Sequence, residues 1–178
     1  MLIVAATERE LAHVRELERF VCGIGPVEAA ISTTRVLAER SPAAVLHVGI
    51  AGARSLPPLA LVLGSESVYC DLAAAIPVVD RVEPDPVLLD RARAALPDAA
   101  VAPIGTSAAV GRGACDVEAM EGFAVLRACA VAGVPALELR VVANDPREEN
   151  RSRWRFDEAF ELLGDAVARV SRGLALRA

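Results

Sequence analysis

Residues 21–52 read VCGIGPVEAAISTTRVLAERSPAAVLHVGIAG, and this stretch decides the fold. Its first residues, Val21–Ile24, predict an apolar strand that stops at a glycine. The pattern then predicts a helix over Val27–Arg40, preceded by Pro26 at a position where the first turn of a helix tolerates proline. A second buried strand is predicted over Ala44–Val48, so the stretch is a strand–helix–strand unit.

The same alternation extends in both directions along the chain. Upstream, Leu2–Ala6 predicts a buried strand, and an apolar helical pattern follows through Leu11, Val14 and Leu17. Strands that alternate with helices indicate an α/β sandwich with a largely parallel sheet, and the length fits one domain over residues 1–178. Downstream the predicted strands are Leu59–Leu63, Ala100–Ile104 and Pro135–Ala143, and the predicted helices are Val87–Leu96, Val117–Ala132 and Phe156–Arg172.

Composition narrows the classes of function. The net charge of −5 and the absence of a basic run argue against nucleic acid as a partner. The longest apolar stretches are shorter than the roughly 20 residues of a membrane span, and no signal-peptide pattern is visible, so we expect a cytoplasmic protein without membrane association. The four cysteines are widely spaced and the two histidines are far apart, which predicts neither a metal site nor a cofactor.

The carboxyl ends of the predicted strands indicate where a ligand would bind, because ligands collect at that edge in open α/β sheets. Periodicity alone therefore predicts a binding rim without naming a substrate. The residues at those ends are Glu10, Gly25, Gly49–Gly52, Thr106, Ser107 and Asn144.

Four segments, in order, resemble the nucleosidase branch of the purine/uridine phosphorylase superfamily. The 23-residue interval from Glu121 to Asn144 matches the family without a gap, while a shorter middle section falls between Asp71 and Val117. The resemblance implies a three-layer αβα sandwich with a mixed, largely parallel central sheet. The segments are Ala6–Glu10, Gly23–Ala30, Gly49–Gly52, and Val117–Gly122 together with Gly133–Pro135, Arg140 and Asn144.

The resemblance also implies roles for individual residues. Glu10 would act as the general base toward water, and Glu121 would accept hydrogen bonds from the ribose hydroxyls, with Met120 packed on the sugar. Without the resemblance, Thr7-x-x-Glu10 is a helix capping box and Glu121 is an exposed acid in the first turn of a helix. The other implied substrate-binding residues are Ile50, Ala51, Gly52, Thr106, Ser107 and Arg140. Arg140 could equally form a structural ion pair with Glu138 or another acid.

Asn144 stands where the adenine-nucleoside hydrolases of this family have aspartate. The amide of asparagine can donate to a 6-oxo oxygen while its carbonyl accepts from a protonated N7. A carboxylate would face that oxygen acceptor to acceptor, which a closed site rejects strongly. Asn144 therefore predicts hypoxanthine or guanine as the base, although Asn144-Asp145-Pro146 is also typical turn sequence.

These implications together predict an N-ribosyl hydrolase that acts on a 6-oxopurine nucleoside. Glu8 and Glu10 stand where phosphorylases of the family hold phosphate, and two acids would repel that anion. The resemblance also implies a homodimer or higher homo-oligomer, and a hydrophobic content of 54%, above the usual roughly 45–50%, agrees with that expectation. The alternatives are an adenine-nucleoside hydrolase, a phosphorylase that would use Arg9 and Arg54, and a non-catalytic nucleoside-binding domain.

Overall fold

An eight-stranded mixed sheet forms the centre of the computed structural model, which describes residues 1–175. The strands are β1 (Leu2–Ala5), β2 (Glu18–Val21), β3 (Val45–Ala53), β4 (Leu61–Tyr69), β5 (Arg81–Val82), β6 (Ala100–Thr106), β7 (Val117–Ala119) and β8 (Ala136–Asn144). The helices are α1 (Pro26–Arg40), α2 (Pro86–Ala95), α3 (Gly122–Ala132) and α4 (Phe156–Ala175), and a short 3-10 turn covers Arg151–Arg153.

Five of the strand pairings are parallel and three are antiparallel. The parallel pairs are β1 with β2, β1 with β3, β3 with β8, β4 with β6, and β6 with β7. The antiparallel pairs are β3 with β7, β4 with β5, and β4 with β8. Strands β3, β8, β4, β6 and β7 thus pair in a closed ring, and β1 and β2 extend the sheet from β3. The predicted mixed, largely parallel sheet is confirmed.

Side chains of β1 show why the sheet has a helical layer on each face. Ile3 and Ala5 belong to an apolar cluster with residues of α2 and α4, whereas Leu2 and Val4 belong to a second cluster with residues of α1 and α3. Successive side chains of a strand point to opposite faces, so a strand with four buried apolar residues needs cover on both sides. The result is the predicted three-layer αβα sandwich.

The helix predicted through Leu11, Val14 and Leu17 is wrong, because residues 8–13 form consecutive turns. Leu11 and Val14 are buried, as an apolar helical face would be. Their carbonyl oxygens, however, accept hydrogen bonds from the Arg19 guanidinium at 3.2 and 3.1 Å. A side chain from β2 therefore takes the place of the amides that would continue a helix.

The helix predicted over Val117–Ala132 begins five residues later than expected. Val117 is buried and pairs with Ile104 of β6 and Ala53 of β3, so the first three residues close the ring of strands as β7. Helix α3 starts at Gly122. Glu121 therefore lies outside the helix, as the residue that precedes its first turn.

Other strands also differ in extent from the sequence prediction. The strand predicted over Ala44–Val48 continues to Ala53, so Gly49–Gly52 lie within β3 rather than after it. The strand predicted over Val21–Ile24 lies instead over Glu18–Val21, whose first two residues are exposed at the sheet edge and carry no apolar signal. The strand predicted over Leu59–Leu63 continues to Tyr69 through a polar segment, because β4 pairs with both β6 and β8 inside the sheet. The short strand β5 was not predicted.

Gly164 allows α4 to lie against the turn that carries Glu10. A Cβ atom at position 164 would stand 2.8 Å from the carbonyl oxygen of His13. We expect Gly164→Ala to lower the free energy of unfolding by about 1–3 kcal/mol through this overlap, although alanine favours helix more than glycine does. Chemical denaturation measures the change.

Gly173→Ala in the same helix is the matched control. A Cβ atom there would stand 3.3 Å from the methyl group of Ala95, a contact that a small shift relieves. The control should lose less stability than Gly164→Ala. Equal stability of the two variants would show that the approach of α4 to His13 does not constrain the turn.

Candidate active site

A cavity of about 260 Å³ opens at the carboxyl ends of β1, β3 and β8. It lies at the rim that the strand ends predicted. Seven of the residues predicted for the site line it: Glu10, Ile50, Ala51, Gly52, Met120, Glu121 and Asn144.

Glu10 is held in the wall of this cavity by three donors. Its Oε2 atom accepts hydrogen bonds from the backbone amide and the hydroxyl of Thr7, both at 3.0 Å. Its Oε1 atom accepts from the amide of Ile50 at 3.2 Å. The contacts of the predicted capping box therefore form, but no helix follows them, and the carboxylate is fixed between the turn after β1 and strand β3.

Glu121 reaches the same cavity from the residue that precedes α3. Its side chain does not cap its own helix but accepts a hydrogen bond from the amide of Gly25 at 2.9 Å, at the start of α1. The positive end of the α1 dipole favours a carboxylate there. Burial raises the pKa of Glu121, and the Arg140 guanidinium and the Gly25 amide oppose that increase.

Arg140 lies directly beneath these two carboxylates and is fully buried. Its Nε atom donates to Glu138 at 2.8 Å, and its NH2 atom lies 3.9 Å from Glu121. The NH2 atom also donates to Nε2 of His47, whose Nδ1 is 3.0 Å from the carbonyl oxygen of Val4. Burial and the Arg140 charge hold the pKa of His47 well below its usual range, so the imidazole is neutral. Arg140 thus supports the site from below rather than lining the cavity.

Two glycines make room for the charged groups. A Cβ atom at Gly49 would collide with both the Arg140 guanidinium and the Glu10 carboxylate. A Cβ atom at Gly122 would collide with both carboxylate oxygens of Glu138. The close packing of three carboxylates around one guanidinium therefore depends on these positions having no side chain.

Asn144 ends β8 and carries an unused donor. The residue is buried, and its Nδ2 atom has no hydrogen-bond partner within residues 1–175. A Cβ atom at Gly52 would stand 3.3 Å from that nitrogen and 2.8 Å from the Pro146 ring, so only a glycine fits against the amide. Buried donors are nearly always paired, and an unpaired one in a cavity wall is suited to a ligand acceptor.

Thr106 and Ser107 are buried but do not line the cavity. The Thr106 hydroxyl accepts a hydrogen bond from the amide of Phe123 at 2.8 Å and so supports the first turn of α3. The Ser107 hydroxyl donates to Asp71 at 2.8 Å. The same loop contributes Ala109 and Val110 to the cavity wall instead.

Sequence reasoning missed several residues of the wall. Glu118 of β7 lines the cavity, accepts from the amide of Gly113 at 3.0 Å and pairs with Arg54 at 2.9 Å. Because a helix was predicted over Val117–Ala132, Glu118 was not expected on a strand in the cavity wall. Three aromatic residues from the segment after β8 complete the wall: Trp154, Phe156 and Phe160.

The two arginines that a phosphorylase would need are engaged elsewhere. Arg54 donates to the carbonyl oxygen of Cys115 at 2.6 Å in addition to its pair with Glu118. Arg9 lines the cavity but stacks over the Phe160 ring at 5.1 Å and pairs with the exposed Asp157 at 3.3 Å.

Among residues 1–175, no group of three or more histidine, cysteine, aspartate or glutamate side chains could hold a metal ion. In that range no helix has the length and apolar character needed to cross a membrane.

Removal of the Arg140 charge should destabilise the protein strongly. Arg140→Met leaves buried carboxylates without their counter-charge, and breaking such a pair costs about 3–5 kcal/mol. The loss should shrink in acid, because uncompensated buried carboxylates take up protons. Denaturation at several pH values measures both effects.

The matched control for Arg140→Met is Arg155→Met, which breaks the half-exposed pair with Glu158 at 3.0 Å. Surface pairs contribute about 0–1 kcal/mol, so this variant should remain close to the wild type. Similar losses for the two variants would contradict a special role for the buried guanidinium.

The comparisons with known proteins agree with this geometry. Residues 18–111 match the family model described as phosphorylase superfamily. A futalosine hydrolase from Streptomyces coelicolor is 34% identical over 179 aligned positions, which cover 84% of this chain and 76% of that protein.

Solved structures share the fold at lower identity. A native futalosine hydrolase from Helicobacter pylori has a TM-score of 0.85 at 17% identity, with 96% of each chain covered. A 5′-methylthioadenosine/S-adenosylhomocysteine nucleosidase from the same species has a TM-score of 0.85 at 17% identity, with 96% of this chain and 97% of that chain covered. The match over residues 18–111 and the similarity along most of the Streptomyces protein show that the chain belongs to the phosphorylase superfamily.

Proposed function

We propose that the chain is an N-ribosyl hydrolase that releases hypoxanthine from futalosine, as a cytoplasmic step of menaquinone biosynthesis. The observation that carries the proposal is the unpaired Nδ2 donor of Asn144 in a cavity lined by the buried carboxylates of Glu10, Glu118 and Glu121. The 34% identity to a protein named futalosine hydrolase supports the choice of substrate.

Glu10 is the proposed general base. Its carboxylate has about four lone-pair sites, and three donors from the chain already fix its orientation. The remaining site can accept a proton from a water molecule that attacks C1′ of the ribose. Such a base must lie within hydrogen-bond reach of the water, and the rigid turn keeps it there without further ordering.

Glu121 is the proposed partner of the ribose 2′- and 3′-hydroxyls. One of its oxygens is held by the Gly25 amide, and the other lies 3.9 Å from Arg140, outside hydrogen-bond distance. An ionised carboxylate in that position accepts from two hydroxyls. Its negative charge also stabilises the positive charge that develops on the sugar as the bond to the base breaks.

Asn144 is the proposed contact to the leaving base. Its Nδ2 donor would bind the 6-oxo oxygen, and its carbonyl would accept from N7–H. N7 takes that proton from solvent, to which Glu10 releases the proton gained from the attacking water. An adenine base presents an amino group at that place, so donor would face donor. This favours futalosine over the methylthioadenosine/S-adenosylhomocysteine substrates that are the second candidate.

Hydrolysis is favoured over phosphorolysis by the charges around the cavity. Arg54 is bound to Glu118 and to main-chain carbonyls, so its guanidinium is not available to phosphate. Glu10 and Glu118 contribute negative charge to the wall, and that charge disfavours an anionic co-substrate.

Substrate choice tests the proposal through Asn144. Wild type should release hypoxanthine from futalosine and act on methylthioadenosine more slowly by a factor on the order of 10⁴. Asn144→Asp should lose most activity on futalosine, because a carboxylate faces the 6-oxo oxygen acceptor to acceptor. Chromatography of the free base measures both reactions.

The control exchange is Asp165→Asn, on the exposed face of α4, which should leave both rates unchanged. Rapid release of adenine by the wild type would contradict the role of Asn144 and the choice of futalosine. The assignments of Glu10 and Glu121 would survive that result.

We also propose that the active form is a homodimer. An apolar groove of about 850 Å³ lies between α1 and α3, and exposed Val27, Ile31 and Val131 line it. A second copy that presents the same face would bury these side chains around a two-fold axis.

The groove predicts which substitutions dissociate the dimer. Ile31→Glu should give a monomer in light scattering at micromolar concentration, because it introduces a charge into the apolar contact. Val87→Glu, at an equally exposed valine on α2 outside the groove, should remain dimeric. A monomeric wild type would refute the proposed assembly.

A further inference from the structure

The mechanism makes no use of Glu138, a charged residue in the middle of β8. Its side chain is fully buried, and both of its oxygens are bound. Oε1 accepts from Nε of Arg140 at 2.8 Å, and Oε2 accepts from the hydroxyl of Ser67 on β4. A buried carboxylate is unfavourable unless it is paired, so the sheet interior is built to hold this charge.

The space for Glu138 depends on a glycine at the start of α3. Gly122, the first residue of that helix, lies against the carboxylate, and a Cβ atom there would collide with both of its oxygens. Gly122 also follows Glu121 directly. The space that admits Glu138 therefore adjoins the residue assigned to the ribose.

The charges around Arg140 do not balance. Glu10, Glu121 and Glu138 are all buried near it, and within residues 1–175 Arg140 is the one buried cation. His47 is neutral, so it adds no charge; its Nε2 atom accepts a hydrogen bond from the guanidinium. The Arg140 guanidinium lies 2.8 Å from the Glu138 carboxylate and 3.9 Å from that of Glu121, so its closer ion pair is with Glu138.

We propose that Glu138 is a positioning residue that acts through Arg140: it fixes the guanidinium beneath the cavity and forms a closer ion pair with it than Glu121 does. This inference rests on the proposed function, since it concerns how that reaction's carboxylates are held. A tight ion pair with Arg140 would occupy the lone pairs of Glu121. Because Arg140 pairs more closely with Glu138, Glu121 keeps acceptor sites for the ribose hydroxyls.

The ionisation of Glu121 reports on this arrangement. Burial raises its pKa most, Arg140 and the Gly25 amide lower it, and the charges of Glu10 and Glu138 raise it further. If Glu121 must be ionised to bind the ribose, kcat/KM falls as the pH decreases through that raised pKa. The charged or titratable groups around it are Glu10 in the turn after β1, Cys22 after β2, His47 on β3, Glu118 on β7 (paired with Arg54), and Glu138 and Arg140 on β8.

Glu138→Gln tests the charge while it preserves the shape. The glutamine carbonyl still accepts a hydrogen bond from Arg140, but one negative charge is lost. The guanidinium then stabilises the ionised form of Glu121 more strongly. The acid limb of the kcat/KM profile should therefore move to lower pH by about 1 unit, the lower end of the effect of a nearby charge.

Ser67→Ala is the matched control, since it removes the other hydrogen bond to Glu138 without a change of charge. Its acid limb should coincide with that of the wild type. An unmoved limb in Glu138→Gln, or the same shift in both variants, would overturn the proposal.

Glu138→Asp covers the case in which Glu138→Gln does not fold. It keeps the charge but withdraws the carboxylate by one methylene, so Arg140 is displaced. We expect kcat/KM to fall by a factor on the order of 10 to 10² in folded protein, the scale of a displacement of about 1 Å. A variant that loses stability but keeps kcat/KM would show that Glu138 is only structural.

Nuclear magnetic resonance separates this inference from the proposed reaction. In protein with ¹³C-labelled glutamate carboxyls, Glu121→Gln identifies the Glu121 signal, and no substrate is needed. Glu138→Gln should lower its titration midpoint by about 1 unit, and an unchanged midpoint would overturn the inference. If wild type releases no base from any nucleoside, the proposed function fails while this titration still decides the role of Glu138.

Discussion

The buried guanidinium of Arg140 is the interaction on which both the sheet and the cavity depend. It contacts the side chains of Glu138 and His47, lies beneath Glu10 and Glu121, and so joins β8 and β3 to the segments that line the cavity. Such a charge is tolerated in a sheet interior only with paired partners and close packing. The glycines on either side of the cluster supply the packing space.

The ring of strands converts this buried cluster into an open site. β3 and β8 run in parallel with a register that pairs Gly49 with Arg140, so their carboxyl ends carry Ile50–Gly52 and Asn144 to the same rim. β7 closes the ring beside them and delivers Glu121 at its end. The carboxylates of Glu10 and Glu121 come from different segments, yet each is fixed by a main-chain amide of a neighbouring element.

Local patterns predicted the alternating elements well, because apolar periodicity reports burial on a strand or helix face. They also placed Glu10 and Asn144 at one rim, since strand ends meet at one edge of the sheet, whereas Met120 and Glu121 were assigned to the site only by the family resemblance. The failures arise where distant residues decide. Arg19 takes the carbonyl oxygens of a predicted helix, and β7 forms only because β3 and β6 pair with it.

The aromatic wall residues that follow β8 could not be predicted for the same reason: no local pattern connects Trp154 or Phe160 with a cavity formed by β1 and β3.

The dependence of base release on phosphate tests the proposed hydrolysis most directly. Protein freed of phosphate is incubated with futalosine, with and without added phosphate, and mass spectrometry identifies the sugar product. Hydrolysis should give equal rates and a free sugar; a strict phosphate requirement with a sugar 1-phosphate as product would contradict it.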